Sequence, residues 1–126
     1  MKKKFSKAWK TSTQKRKQRK YLKNAPLNIK HKLLASHLSK ELIKKYNKRS
    51  IPVRKGDKVK IARGQFKKKE GKVERVFTKK SKVYIENIQT TKIDGTKTFY
   101  PIHPSNLIIT DLNLDDKKRK IIIERK

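Results

Sequence analysis

Between Ile51 and Thr110 the chain alternates polar and apolar residues in short runs, the period of strands with one buried face. Ile51-Pro52-Val53 leads in, with Pro52 suited to an edge. Lys58-Val59-Lys60-Ile61-Ala62 and Lys72-Val73-Glu74-Arg75-Val76-Phe77 are the two clearest runs. After a turn at Lys79-Lys80-Ser81, the run Val83-Tyr84-Ile85-Glu86-Asn87-Ile88 places Val83 and Ile85 on one face. Asp94-Gly95 predicts a two-residue turn of the kind that needs positive φ, with the chain returning through Thr98-Phe99-Tyr100. Leu107-Ile108-Ile109 predicts a short buried strand. Five or six short strands with tight turns predict a mainly β fold, a small SH3-like barrel over 51–113. Its turns fall at Gly56, Gly64, Gly71 and Gly95. Gly71, at the entry to a strand, is expected to take a positive φ or to permit a close backbone approach.

Upstream the period changes. Asn24-Ala25-Pro26 marks a break, because proline disfavours helix in the residue before it. Asn28 is a candidate cap for a short helix through Ile29, Leu33 and Leu34. Ser36–Tyr46 predicts a second helix, with Leu38, Leu42 and Tyr46 at i, i+4 and i+8 and Ser39 as a possible N-cap. Residues 24–50 therefore read as a helical extension. Residues 1–23 hold eleven Lys or Arg, no acid and few aliphatic residues, so this arm is expected to be disordered when free and to fold on a partner. Residues 114–126 read as a helical tail. Asp115-Asp116 sit at its positive end and Arg125-Lys126 at the other, while Ile121–Ile123 are available to dock on the barrel or a partner.

Charge decides what such a fold is for. Lys and Arg total 39 against 10 Asp and Glu, a net charge of +29, and the simplest reason for that excess is a polyanionic partner. The loop between the two clearest strands concentrates it in Lys67-Lys68-Lys69, between Gly64 and Gly71. No apolar run approaches the roughly 18 residues of a membrane span, and the charged N-terminus lacks the apolar stretch of a secretory signal. There is no cysteine, and His31, His37 and His103 are too scattered for a metal cluster. No nucleophile sits beside a base and no glycine-rich phosphate loop opens a helix, so no enzyme, metal, cofactor or small-molecule substrate is expected.

The candidate RNA-binding residues follow from the basic clusters. The arm supplies Lys15, Arg16, Lys17, Arg19, Lys20 and Tyr21. Lys44, Lys45 and Arg49 lie on a basic face shared with Lys40 and Lys48. The β unit adds Arg54, Lys55, Arg63, Lys67, Lys68, Lys69 and Lys72. Lysine outnumbers arginine 31 to 8, which favours point-charge neutralisation of phosphates over bidentate base reading. Trp9, Tyr21 and Phe66 lie among cations, placed either to stack on splayed bases or to pack on the protein's own surface.

Lys55-Gly56-Asp57-Lys58-Val59, Arg63-Gly64 and Glu70-Gly71-Lys72-Val73 resemble the KOW motif, shared by several ribosomal proteins and NusG-type transcription factors. The flanks narrow the resemblance: Asn24-Ala25-Pro26, Leu38-Ser39-Lys40-Glu41-Leu42, Ile102-His103-Pro104-Ser105-Asn106 and Leu114-Asp115-Asp116-Lys117. From about Tyr21 onward the chain is similar to large-subunit ribosomal protein number 24 of the archaeal and eukaryotic type, number 26 in eukaryotic naming. That resemblance implies a cytoplasmic component of the large ribosomal subunit that binds the large rRNA early in assembly, near the nascent-chain tunnel exit and beside neighbouring large-subunit proteins. The motif glycines carry over to Gly56, Gly64 and Gly71, and the basic loop to Lys67–Lys69. Several relatives place Lys-Gly in this loop where the present chain continues Lys67-Lys68-Lys69. A KOW-type elongation factor is the nearest alternative, but residues 1–49 lack the apolar content of such a factor's N-terminal domain. A DNA-compacting protein is supported by charge alone.

Overall fold

A computed structural model of the chain describes residues 5, 6, 8, 9 and 11–125. Chain order runs α1 (Lys15–Asn24), α2 (Leu27–Lys32), β1 (Ala35–Leu38), α3 (Lys40–Tyr46), β2 (Ser50–Pro52), β3 (Lys58–Ile61) and β4 (Glu70–Phe77). It continues with β5 (Lys82–Ile85), β6 (Gln89–Thr91), β7 (Lys97–Phe99), β8 (Leu107–Asp111) and α4 (Lys117–Glu124). Six strands form one sheet in the order β2-β1-β8-β3-β4-β5, and β6-β7 is a separate two-stranded sheet. Within the large sheet only β1 and β8 pair in parallel.

Alternation in the sequence becomes a sorted sheet. Val59 and Ile61 of β3, Val83 and Ile85 of β5, and Leu107 and Ile109 of β8 are all buried in one cluster. Leu38, Ile51, Val53, Val73, Ile88, Ile102, Leu112 and Ile123 complete it. Each such aliphatic side chain contributes about 1.5–3 kcal/mol on full burial. Between these inward residues stand Lys58 and Lys60, which are exposed, so the strands that build the core also display cations.

The structure departs from the sequence expectations in several places. The strands do not close into a barrel: the pairing order is open, ending at β2 on one side and β5 on the other. Ala35–Leu38 is a strand, not the first turn of a helix. Ser36 and Leu38 point inward while His37 is exposed, a period of two that overrides the i, i+4 match of Leu38 with Leu42. Ser36 is held by donating its hydroxyl to the Pro104 carbonyl at 2.6 Å. The helix begins only after Ser39, whose Oγ accepts from the Leu42 N–H, and it ends at Asn47 in a left-handed conformation (φ 51°). Residues 24–50 thus supply a strand to the same sheet as residues 51–113.

Asn28 lies inside α2 rather than capping it, and Pro26 holds the N-cap position. No element is predicted for residues 1–23, yet α1 covers Lys15–Asn24. It has no buried residue and no side-chain cap, and its Lys, Arg, Gln and Leu are good helix formers. The remaining arm cations Lys2, Lys3, Lys4, Lys7 and Lys10 lie outside the described residues. The β6-β7 hairpin forms, but around Ile93-Asp94-Gly95, closed by the Lys92 N–H on the Thr96 carbonyl (2.9 Å), with positive φ at Gly95 and not at Asp94. This three-residue connection replaces the two-residue turn. At Gly71 the second of the two expected roles holds. Its φ is not positive, and a Cβ there would lie 2.6 Å from Ile85 Cγ2 and 2.8 Å from the Glu86 carbonyl.

Candidate nucleic-acid interface

The loop from Ala62 to Lys69 is fastened by backbone hydrogen bonds on both sides. Ile61 N–H donates to the Lys69 carbonyl (2.9 Å), Lys68 to Ile61 (2.9 Å), Lys67 to Gly64 (3.0 Å) and Lys69 to Phe66 (3.1 Å). Gly64 sits at φ +97° with open space around it, and Lys68 sits at φ +73°. Lys68 therefore occupies the left-handed conformation that glycine takes most easily. Lys67, Lys68 and Lys69 are all exposed, and the Lys69 ammonium lies over the Phe66 ring at 5.3 Å. In the adjoining ladder Lys60 faces Glu70, with an ion pair at 3.2 Å, whereas Lys58 faces Lys72 directly. Like charges opposite one another cost stability in the free protein.

The second basic surface is α3. Its Lys44 and Lys45, and Arg49 beyond it, are exposed, while Leu42, Ile43 and Tyr46 pack on the core. The helix leaves β1 beside Ile109, near the Asp111 end of β8, but the lysine loop leaves β3 beside Leu107. The two surfaces thus stand at opposite ends of the central strands. The third is α1, where Lys15, Arg16, Lys17, Arg19 and Lys20 are exposed. Tyr21 is half-buried between Phe5 and Trp9, with ring centroids 4.9 Å away in each case. Trp9 and Tyr21 pack on one another, and Phe66 packs on Tyr100 at 5.1 Å.

Of the predicted site residues, Arg54 is already engaged. Its guanidinium pairs with Asp116, which also caps α4 by accepting from the Lys118 N–H at 2.8 Å. The hydrogen bond from Arg54, then that from Lys118, hold the Asp116 carboxyl below its usual range. Lys55, Arg63, Lys67, Lys68, Lys69 and Lys72, with the arm and α3 cations, have no carboxylate within ion-pairing distance among the described residues. Protein of this kind presents free ammonium and guanidinium groups on a fixed support. Among the described residues no group of three or more His, Asp or Glu is placed to hold a metal, and no helix is long and apolar enough to cross a membrane.

What sequence reading missed is the anchor beneath this surface. Asp57 is fully buried and Arg119 is 3% exposed. The carboxylate takes a two-pronged contact from Arg119 Nη1 (2.6 Å) and Nη2 (2.7 Å) and accepts the Arg54 (2.8 Å) and Asn113 (3.0 Å) N–H groups. Arg119 also donates to the Asn113 (2.8 Å) and Pro52 (3.3 Å) carbonyls. A tail helix is thereby locked to the turn at Lys55–Asp57. The available signal was a lone arginine in Lys117-Lys118-Arg119-Lys120, since a guanidinium matches a buried carboxylate better than an ammonium does.

A small, largely β scaffold whose exposed cations outnumber their carboxylate partners among the described residues defines a class of strongly basic structural proteins. Comparison with known proteins makes this specific: a family model for ribosomal proteins called L26 in eukaryotes and L24 in archaea matches residues 12–126, and the chain belongs to that family. It is 49% identical over 115 residues to "Large ribosomal subunit protein uL24" of Methanosphaera stadtmanae, covering 91% of this chain and 98% of that protein. The family consists of structural ribosomal proteins rather than enzymes, and its place is the ribosome in the cytoplasm.

Proposed function

We propose that this protein binds large-subunit rRNA through three separate basic surfaces: the arm with α1, the face of α3 with Arg49, and the lysine loop between β3 and β4. The observation that carries this reading is the set of exposed cations on α1, α3 with Arg49, and the loop, which have no ion-pairing carboxylate among the described residues. Because the loop and α3 stand at opposite ends of the central strands, each addresses a different stretch of RNA. Lysines there displace condensed counterions from phosphates, so binding is salt-dependent and weakly selective for sequence. The register shift in β4 between Val73 and Arg75, an irregularity of the kind that lets a strand bend, supports reading the β unit as a KOW-type, SH3-like module. Family membership supports incorporation early in large-subunit assembly, next to neighbouring large-subunit proteins and near the tunnel exit.

Sedimentation of the tagged chain from cell lysate tests the reading. It is expected to migrate with large subunits and with their early precursors, and a protein that stays at the top of the gradient would overturn it. Cross-linking of ribosomes carrying stalled nascent chains tests the position, with cross-links expected to this chain.

A further inference from the structure

A cleft of about 160 Å³ opens between the loop at 62–66 and the segment at 100–106. Its walls are tied before any partner arrives. Ala62 N–H donates to the Asn106 carbonyl at 2.8 Å, and Val83 and Ile102 exchange both backbone bonds at 2.8 and 3.0 Å. Phe66 and Tyr100 meet inside it, with ring planes 58° apart. Lys69 occupies one side of Phe66, whereas Tyr100 remains 39% exposed, so the free stacking surface belongs to Tyr100. Arg63, Lys82 and His103 line the same cleft, and no Asp or Glu does. Arg63 and Lys82 have no ion pair among the described residues, and the Asn106 side-chain amide has no hydrogen-bond partner there. His103 has its Nδ1 engaged by Ser105 Oγ at 2.8 Å, which fixes the ring and leaves Nε2 for a ligand.

We propose that this cleft is a single-nucleotide site, holding one unpaired nucleotide of RNA with its base on Tyr100 and its phosphate against Arg63 and Lys82. The inference rests on the RNA-binding reading and adds to it a place where a base, not only a backbone, is held. An aromatic face beside cations is how proteins hold unstacked bases, and a base inside a duplex cannot reach such a face. Asn106 is the group available to hydrogen-bond the base edge.

The test uses the full chain and its Tyr100→Leu variant, with a uridine octamer, an adenosine octamer and an eight-base-pair RNA duplex at one fixed salt concentration. Leucine keeps an apolar contact with Phe66, and thermal unfolding checks that the variant is folded. Stacking is lost, so uridine-octamer affinity is expected to fall about fivefold or more while duplex affinity stays within about twofold. The adenosine octamer is expected to lose affinity in the same direction, because every base offers a face to stack. A Tyr100→Trp variant, which keeps a larger ring, is expected to retain uridine-octamer binding, so the claim stands on a second substitution. Equal losses on the uridine octamer and the duplex, or no loss on either, would overturn the cleft while leaving general RNA binding intact. Failure of the unaltered chain to bind any of the three RNAs would overturn the RNA reading itself.

Discussion

Replacing Asp57 with alanine removes the acceptor of four hydrogen bonds at one buried point. Two come from Arg119, whose guanidinium is then left 3% exposed with only the Asn113 and Pro52 carbonyls for company. Two come from the backbone N–H groups of Arg54 and Asn113, which lose their partners as well. Breaking a buried ion pair from one side costs about 3–5 kcal/mol because the remaining charge stays buried and unpaired. Set against a typical domain stability of about 5–15 kcal/mol, that is a large fraction of the whole. The melting temperature of Asp57→Ala is expected to drop by roughly 10–25 °C. Arg119→Met should also destabilise, since it leaves the carboxylate buried with two N–H donors instead of four. The double variant Asp57→Ala with Arg119→Met removes both charges, and its loss should be smaller than the sum of the singles by on the order of 1–3 kcal/mol. Urea unfolding followed by circular dichroism reads this directly, because urea does not screen charge. Arg119 Nε is buried without a hydrogen-bond partner, so the pair itself is imperfect, and removing both charges together should cost less than the two single losses added. Additive single losses, or an Asp57→Ala cost below about 1 kcal/mol, would refute the claim that this pair locks the tail to the sheet.

Other positions give sharper, smaller tests. Gly71→Val places a branched Cβ where Ile85 Cγ2 and the Glu86 carbonyl already sit, 2.6 and 2.8 Å away, and thermal unfolding should show a loss of about 1–3 kcal/mol. Lys68→Gly relieves a left-handed lysine (φ +73°) and should be neutral to stabilising by up to about 1 kcal/mol in the same assay. Burial first, and then the Lys82 charge, hold the His103 imidazole below its ordinary 6.5. Its contribution is therefore fully present above pH 6.5 and is lost as the pH falls through the depressed folded value, so stability should decline on acidification through this range and His103→Gln should flatten the decline.

Legibility followed the physics of each segment. Strands β3, β5 and β8 could be read because each has one buried face, and alternation at Val59/Ile61, Val83/Ile85 and Leu107/Ile109 reports that directly. Strand β1 could not, because its inward residues are Ser36 and Leu38. A serine counts as polar in any pattern, and only its bond to the distant Pro104 carbonyl makes burial favourable. Leu38 then matched Leu42 and Tyr46 at helical spacing by coincidence across a strand–helix junction at Ser39. The open sheet was equally invisible, since closure depends on which edge strands pair and not on any one strand's pattern. Exposed cations were legible as a class, because surface charge needs no tertiary information. Which of them were already spent on the protein was not: Arg54 meets an acid 62 residues away, as does Arg119.

The exposed cations of α1, α3 and the lysine loop, unpaired among the described residues, form the proposed RNA-phosphate surface. The most direct measurement is the slope of log affinity against log salt for the full chain on large-subunit rRNA, repeated after Lys67, Lys68 and Lys69 are all replaced by alanine. Each phosphate contact contributes about 0.7–0.9 to the slope, so the full chain should show a slope of several units and the triple variant a slope smaller by about 2–3. Affinity should fall with salt in both, and the melting temperature should change little, since all three lysines are exposed. A slope that is unchanged in the triple variant, at equal affinity, would contradict the placement of RNA on this loop. A slope near zero for the full chain would contradict the account as a whole.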